Sequence, residues 1–395
     1  MDPFAPAKLG PIELRNRIIK SATFEGVTAE HVVSDRLVEF HRAVARGGVG
    51  MTTVAYCAVS PEGCGTPNEI ILTDAVVPGM RKLADAVHAE GAALSVQIGH
   101  AGAVAAAAGL RGVSPSPVWS PAALRRTRAV TESDMERIAS DFGSAARIAV
   151  AGGADAVELH LGHGYLLNEF LSPDTNRRRD RFGGSLENRA RFPRDVVRRV
   201  REAVGPGTAL VAKLNMADGV RGGLWLDESV QVGRWLETDG ALDALVLTGG
   251  SSLKNPMYLF RGEAPIAELA AAAPPAMKLG LRLFGKRFMP EYPFEEAFFL
   301  PYARQFRAAL RMPLALLGGV TKLDTIQRAV NEEGFEFVAM GRALLREPDL
   351  IARYAKTAAR ESLCVHCNKC MATIYRGTRC VLVPEPAAPV RSIRA

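Results

Sequence analysis

Short apolar runs that end in glycine or a polar residue recur along this chain, and segments with a helical pattern separate them. The runs predict strands at residues 17–22, 49–57, 93–99, 155–161, 209–215, 244–250, 313–319 and 335–342. Segments such as "DRLVEFHRAVARGG" and "KLDTIQRAVNEEG" space apolar residues three or four positions apart, as one buried helix face requires. This alternation predicts a (β/α)8 barrel. A doubly wound sheet is the rival fold, and it is disfavoured because no GxGxxG turn follows an early strand.

Two predicted connections are longer than a strand–helix unit needs. They cover residues 101–131, after the third strand, and 250–300, after the sixth. Both leave the carboxyl ends of strands, where barrel enzymes build their active sites, so we expect them to form walls or lids of a substrate pocket. Surface decoration or an oligomer contact is the alternative. By this division, residues 1–360 form the barrel and 361–395 form a cysteine-containing extension.

Composition agrees with a soluble globular protein. The 395 residues are 48% hydrophobic and 23% charged, which is typical of a soluble protein with a large core. The N-terminal "MDPFAPAKLG" lacks the basic and hydrophobic regions of a signal peptide. The most apolar tracts, such as "AGAVAAAAGL", are too short to span a bilayer. We therefore expect a cytoplasmic protein with no membrane partner.

The net charge of +7 raises the question of an anionic partner. Much of the excess lies in 177–201, where Val196 and Val200 share one helical face while Arg194 and Arg198 lie on the other side. This is the pattern of a solvated helix face, and the arginines do not interleave with aromatic residues. We therefore expect no nucleic-acid partner, and a basic barrel mouth that attracts a phosphorylated cofactor explains the charge better.

Polar side chains occupy the inward face of three predicted strands near their carboxyl ends. Because side chains alternate along a strand, Gln97, His160 and Lys213 fall opposite the apolar residues that should pack on the helices. Buried polar groups are costly unless they are hydrogen-bonded. The convergence predicts a ligand with hydrogen-bonding edges, although a single buried histidine is more often a satisfied core residue.

The last two strands carry a phosphate-binding pattern. "LLGGVTK" places Gly318 and Gly319 at a strand end, "AMGRALL" does the same with Gly341, and a helical segment follows each. Backbone N–H groups there bind phosphate well, and barrels often use the loops after strands seven and eight for this purpose. Arg342 would add a charge-assisted bond. Simple turn glycines are the alternative interpretation.

A family resemblance follows from the longest motif. The segment "HLGHGYLLNEFLSPDTNRRRDRFGGSLENRARF" resembles the signature of the Old Yellow Enzyme family of FMN-dependent oxidoreductases. Further similarity lies in "LGPIELRNRIIKSA", "VQIGHAG" and "MGRALLREPDL", so the resemblance covers residues 4–355. The C-terminal "CVHCNKC" resembles the iron–sulfur branch that includes 2,4-dienoyl-CoA reductase and trimethylamine dehydrogenase.

The resemblance implies a barrel with non-covalent FMN at its C-terminal mouth and NAD(P)H as reductant. His160 and His163 would bind the activating carbonyl or nitro oxygen of a small-molecule substrate, and Tyr165 would donate the proton. The implied FMN contacts are Gln97 and Lys213 at the pyrimidine edge, Ala22, Thr23 and Ala58 along the ring, and Gly318, Gly319, Gly341 and Arg342 at the phosphate. Many members carry arginine where Lys213 stands, and lysine supplies the charge without a bidentate fork.

The implied activity is that of an ene-reductase, which passes hydride through FMN to an activated alkene. Iron–sulfur flavoenzyme chemistry, with dienoyl-CoA or amine substrates, is the alternative within the family. From another class, a metal-dependent barrel hydrolase or lyase would use His160 and His163 as ligands. It lacks a well-placed carboxylate, since Glu158 precedes His160 by two on the same strand. A homo-oligomer is compatible with all of these.

The remaining candidate chemistry lies in the C-terminal cysteines. Cys364, Cys367, Cys370 and Cys380 follow a Cys-x2-Cys-x2-Cys-x9-Cys pattern, whose first three positions match the trimethylamine dehydrogenase type. The last interval is shorter than in that type. A [4Fe–4S] cluster, a structural zinc and a metal-free tail all remain open. A separate electron-transfer partner is expected only with a cluster, while Cys57 and Cys64 are expected to be packing or loop residues.

Overall fold

The computed structural model describes residues 2–28, 30–105, 110–120, 123, 125–273, 275–374 and 376–384, and its centre is a closed parallel barrel. The barrel strands are β1 (Ile18–Lys20), β2 (Met51–Ala58), β3 (Ala93–Gly99), β4 (Ala156–Leu161), β5 (Ala209–Asn215), β6 (Ala244–Thr248), β7 (Leu314–Leu317) and β8 (Phe337–Met340). Each strand pairs in parallel with the next along the chain, and β8 pairs with β1. The predicted (β/α)8 fold is therefore confirmed, and each observed strand overlaps a predicted one.

Helices surround the barrel and also extend its connections. They are α1 (Asp35–Arg46), α2 (Val77–His88), α3 (Glu132–Ala151), α4 (Leu166–Leu171), α5 (Leu186–Val204), α6 (Leu226–Asp239), α7 (Pro256–Phe260), α8 (Ile266–Ala272), α9 (Pro275–Phe288), α10 (Leu300–Ala309), α11 (Leu323–Asn331), α12 (Arg342–Arg346) and α13 (Leu350–Lys356). Side-chain hydrogen bonds determine where several of these helices begin. The side chains of Ser34, Thr131 and Ser185 accept N–H bonds at the first turns of α1, α3 and α5.

Strand alternation separates two apolar layers. On β5, the outward side chains Leu210 and Leu214 join the large core between barrel and helices, whereas Val211 joins a smaller cluster inside the barrel. An antiparallel N-terminal hairpin (Ala7–Leu9 with Ile12–Leu14) belongs to that inner cluster. Because the inner cluster also contains residues at the starts of the strands, the hairpin closes the floor of the barrel. The sequence interpretation did not anticipate this hairpin.

The two long connections have structure of their own. The loop after β3 forms two short strand pairs, Val113–Ser114 with Arg128–Ala129 and Trp119–Ser120 with Arg125–Arg126. The loop after β6 contains α7, α8 and α9. Residues 106–109, 121, 122, 124 and 274 of the predicted loops lie outside the described part of the chain. Arg178 donates to the carbonyls of Pro115 and Val130, so the arginine run ties the β3 loop to the segment after β4.

The C-terminal segment crosses the barrel mouth. Thr378 N–H donates to the Glu25 carbonyl at 2.7 Å, and Asn368 Nδ2 donates to the Arg261 carbonyl at 2.8 Å. The segment therefore contacts both the loop after β1 and the loop after β6. Residues 385–395 of the predicted extension lie outside the described residues.

Candidate active site

Two histidines meet where β4 ends. His160 is the last but one residue of β4, and the Gly162 N–H donates to its Nδ1 at 3.2 Å, which assigns the ring proton to Nε2. That Nε2 lies 3.2 Å from Nδ1 of His163, whose own Nε2 lies 2.8 Å from the Thr248 hydroxyl. The backbone of His163 turns into the left-handed region at φ 59° and is held by Asn215.

Both imidazoles are neutral at physiological pH. Burial, followed by the charges of His163 and Lys213, lowers the pKa of His160 well below its usual value. Burial and then Lys213 lower the pKa of His163 to about 3. Each neutral ring carries one N–H: that of His160 faces Nδ1 of His163, and that of His163 faces the Thr248 hydroxyl. A bound oxygen would accept these N–H groups by replacing those contacts, and it would meet no full positive charge.

Tyr165 lies against these rings. It is the N-cap residue of α4, and its ring stacks on His160 with 4.5 Å between centroids and 26° between planes. Burial, and then the nearby Glu69, raise the pKa of the Tyr165 phenol above its usual value. The phenol therefore stays protonated at neutral pH and holds a transferable proton.

Sequence reasoning missed Tyr56 at this place. Its ring lies 5.1 Å from that of Tyr165, and its hydroxyl donates to the Gly63 carbonyl at 3.2 Å. The sequence could have indicated Tyr56, because this residue lies on β2 two positions before Ala58 and therefore shares its face. The predicted ring-lining residues Ala22 and Ala58 join Tyr56 and Tyr165 in one apolar cluster, which also includes Cys64.

A buried amide, ammonium and carboxylate line the barrel interior below that cluster. Glu158 Oε1 accepts from Gln97 Nε2 at 2.6 Å and lies 2.9 Å from Lys213 Nζ. Lys213 also donates to the Ser21 hydroxyl at 3.2 Å. The register of the parallel strands brings these three side chains together. Glu158 pairs with Gln97 on β3, and His160, two residues further along the same face of β4, pairs with Lys213 on β5. Glu158 was weighed in the sequence only as a metal ligand, and here it holds the two predicted cofactor-binding side chains in place.

A second buried ion pair supports the loop after β1. Lys20 Nζ lies 2.5 Å from Glu25 Oε1, and both side chains are almost fully buried. Burial alone would raise the pKa of Glu25, but Lys20 and the hydrogen bonds outweigh it and lower that pKa to about 2. Glu25 also accepts from Thr23 Oγ1 at 3.1 Å and from the Ala55 N–H at 3.0 Å. The pair fixes Thr23, a predicted ring-lining residue, relative to β2.

The predicted phosphate cradle lies at the ends of β7 and β8. Gly318 and Gly319 adopt φ of 122° and 75°, and an added Cβ would lie 2.5 Å from Phe299 and from Phe298 respectively. Only glycine fits both positions, because Phe299 and Phe298 occupy the space that a Cβ would need. Gly341 follows β8, and its Cβ position lies 3.5 Å from Thr23. The apolar cluster, the Gln97 and Lys213 side chains on Glu158, and the glycines at the strand ends together fit a flavin mononucleotide.

Arg342 extends away from the glycines. Its guanidinium donates to the Arg261 carbonyl at 3.3 Å and to the Asn368 side chain, and it lies 5.9 Å from the ring centroids of Phe260 and Phe294. The residue thus connects the end of β8 with the C-terminal segment.

All four C-terminal cysteines line one cavity beside Arg342. None is in a disulfide, and burial raises the pKa of Cys364 and raises that of Cys370 to about 11. Within the described ranges, no group of three or more His, Cys, Asp or Glu side chains is close enough to hold a single metal ion. A further finding is that no described helix is long and apolar enough to cross a membrane.

Comparison with known proteins gives consistent matches. Residues 2–241 match the model of the NADH:flavin oxidoreductase / NADH oxidase family. The 4,4'-dithiodibutanoate disulfide reductase of Rhodococcus erythropolis is 54% identical over 381 residues, which are 96% of this chain and 94% of that protein. The metal reductase of Desulforamulus reducens is 31% identical, over 94% of this chain and 52% of its own length.

Solved structures agree with these matches. A 2-naphthoyl-CoA reductase superposes with a TM-score of 0.77 and 26% identity over 90% of this chain and 52% of that one. Morphinone reductase gives a TM-score of 0.70 and 25% identity over 91% of this chain and 91% of its own. The chain thus spans nearly the full length of some relatives and about half the length of others.

Proposed function

The chain belongs to the NADH:flavin oxidoreductase / NADH oxidase family, and from this premise we propose that it reduces small electron-poor substrates, first of all activated alkenes, at His160 and His163. Bound FMN would supply hydride transfer from NAD(P)H to the substrate. The observation that carries the proposal is the meeting of two neutral imidazoles and a protonated phenol at the end of β4.

The histidines would hold the substrate oxygen. Negative charge develops on that oxygen as hydride arrives at the β-carbon, and N–H donors stabilise this charge more strongly than the neutral ground state. The Asn215 and Thr248 contacts keep His163 in position for this role. Tyr165 would then deliver its proton to the α-carbon, which is strongly basic once the charge has developed.

The cofactor would rest on groups that are already ordered. Gln97 and Lys213 would contact its pyrimidine edge, each using N–H groups that remain after binding Glu158. The ring would lie on the apolar cluster, and the phosphate would enter the glycine cradle. The proposed residues are Ala22, Thr23, Ala58, Gln97, Lys213, Gly318, Gly319, Gly341 and Arg342.

Reduction of organic disulfides is the second candidate. It is favoured by the 54% identity, over almost the whole chain, to a disulfide reductase. The balance would be RS–SR + NAD(P)H + H⁺ → 2 RSH + NAD(P)⁺. No carbon is protonated in this reaction, so it makes little demand on Tyr165.

Replacing Tyr165 by phenylalanine separates the two candidates. We expect Tyr165→Phe to lower kcat for an enone by about 10²-fold or more, because the proton donor is lost. NAD(P)H oxidation with 4,4'-dithiodibutanoate should change little, because thiolates leave without carbon protonation. Tyr302→Phe, on the outer helix α10, is the matched control.

The outcomes of this comparison are distinct. Unchanged enone turnover in Tyr165→Phe would contradict the assigned proton donor. A purified protein that carries no flavin and cannot be reconstituted with FMN would contradict the whole proposal.

We further propose that Cys364, Cys367, Cys370 and Cys380 hold a [4Fe–4S] cluster. Four thiolates around one zinc, each at about 2.3 Å, must converge on a point, whereas these four line a cavity. Anaerobically purified protein should contain about four irons and matching acid-labile sulfide per chain. The Cys367→Ser variant should lose the iron and the sulfide and keep FMN. Wild-type protein without iron would contradict this proposal, and it would also remove the reason to expect an electron-transfer partner.

A cytoplasmic location and a homo-oligomer remain part of the proposal. The location is supported by the six cysteines, which are all free of disulfides.

A further inference from the structure

Among the residues that the structure describes, Arg261 in the loop after β6 has no anionic partner. Its guanidinium lies 5.3, 5.3 and 5.1 Å from the ring centroids of Tyr258, Tyr292 and Phe298. Its Nε is buried and has no hydrogen-bond partner, and the ion pairs of the described residues do not include it. Arginine carries five N–H donors and a permanent charge. Because a buried charge is costly unless it is paired, a half-buried arginine with no carboxylate beside it is a candidate binding site for an anion.

The backbone of Arg261 is held firmly in an unusual conformation. Its φ is 49°, a region that L-residues rarely adopt. The Arg261 N–H donates to the Met257 carbonyl at 2.8 Å, and its carbonyl accepts from Asn368 and Arg342. A costly backbone geometry fixed by its surroundings is typical of functional positions. Here it directs the side chain among the three rings.

The location of Arg261 points to the kind of anion. Phe298, one of the three rings, contacts the position where a Cβ on Gly319 would be, at 2.5 Å. Arg342, which follows the other cradle glycine, touches the Arg261 carbonyl. Arg261 therefore lies between the loops that follow β6, β7 and β8, and Phe298 joins it to the glycine pair after β7.

We propose that Arg261 binds the phosphate of FMN and adds a positive charge to the cradle beside Arg342. The contacts of Arg342 support this assignment, because its guanidinium is engaged by Asn368 and by the Arg261 carbonyl. Charge-assisted bonds from arginine suit phosphate oxygens well. The inference rests on the proposed function only through the binding of FMN.

A comparison of two flavins tests the role without measuring activity. FMN and riboflavin share the ring and differ in the phosphate, so apoprotein is titrated with each while flavin fluorescence is followed. We expect Arg261→Met to weaken FMN binding by about ten- to one-hundredfold and to leave riboflavin binding nearly unchanged. Arg282→Met, on the exposed side of α9, is the control and should bind both flavins as the wild type does.

Two further measurements distinguish a specific loss of phosphate binding from misfolding of the variant. Arg261→Lys keeps the charge with fewer donors, and it should lie between wild type and Arg261→Met in FMN affinity. Inorganic phosphate should raise the unfolding midpoint of wild-type apoprotein and leave that of Arg261→Met unchanged.

The contradicting results are equally specific. Equal loss of FMN and riboflavin affinity, or no loss of either, would overturn the assignment. A raised KM for a carboxylate-bearing disulfide with normal FMN affinity would also overturn it and assign Arg261 to the substrate. Wild-type apoprotein that binds neither flavin would instead overturn the proposed function itself.

Discussion

Burial is the main cause of the shifted pKa values of individual side chains at this barrel mouth. The clearest case outside the proposed chemistry is Glu69, which is 3% exposed and accepts the Gly65 N–H at 2.6 Å. Burial raises its pKa to about 7, although its hydrogen bonds act in the opposite direction. The titratable groups around it are His31, Tyr56, Cys57, Cys64 and Tyr165. Proton release from Glu69 therefore occurs near neutral pH and beside the proposed donor.

Glu69 should make folding stability depend on pH in a defined direction. The unfolded chain releases this proton near the ordinary value of 4.5, whereas the folded protein keeps it until about pH 7. The free energy of unfolding should therefore fall by up to about 3 kcal/mol between these values. Glu69→Gln should remove this decline.

The test compares unfolding midpoints at pH 5 and at pH 7.5 for wild type, Glu69→Gln and Glu39→Gln. Glu39 is exposed on α1 and should keep the wild-type pH dependence. Parallel pH profiles for wild type and Glu69→Gln would show that Glu69 ionises normally in the folded protein.

Secondary-structure elements were the most predictable level, because their signals are local. The bounds of β3 and β5 agree with the predicted runs 93–99 and 209–215, because apolar alternation marks both runs locally. Long-range pairings were not predictable in the same way. Nothing near Glu158 in the chain indicates Gln97, which only the β3–β4 register brings opposite. Lys20 lies within the first predicted apolar run, and nothing in the local sequence indicates that Glu25 would form an ion pair with it.

The turn after β7 gives a prediction at the scale of elements. Gly319→Ala would force a side chain into φ 75° and toward Phe298, which should destabilise the fold by about 1–3 kcal/mol and reduce the FMN retained. Gly207→Ala is the matched control, since its added Cβ would meet nothing within 4 Å. Thermal midpoints and the ratio of flavin to protein absorbance measure both effects. An unchanged midpoint in Gly319→Ala would show that Phe298 moves aside freely.

At the scale of the whole molecule, the order of elements was enough to predict the barrel but not how its ends are closed. The N-terminal hairpin is too short to show a strand pattern of its own, and its role depends on lumen residues far along the chain. The C-terminal segment was predicted as an extension. Its bonds from Thr378 to the Glu25 carbonyl and from Asn368 to that of Arg261 depend on folded loops that leave no local trace in the sequence.

The hairpin beneath the barrel has a kinetic consequence. Because Leu9 and Leu14 pack against the inner cluster, the described part of the barrel is closed at the amino ends of its strands, and a ligand would approach from the carboxyl ends. If the proposed function holds, the nicotinamide and the molecule to be reduced would both approach the histidines and tyrosines from that end. They would then bind one after the other, and each product would leave before the next reactant binds.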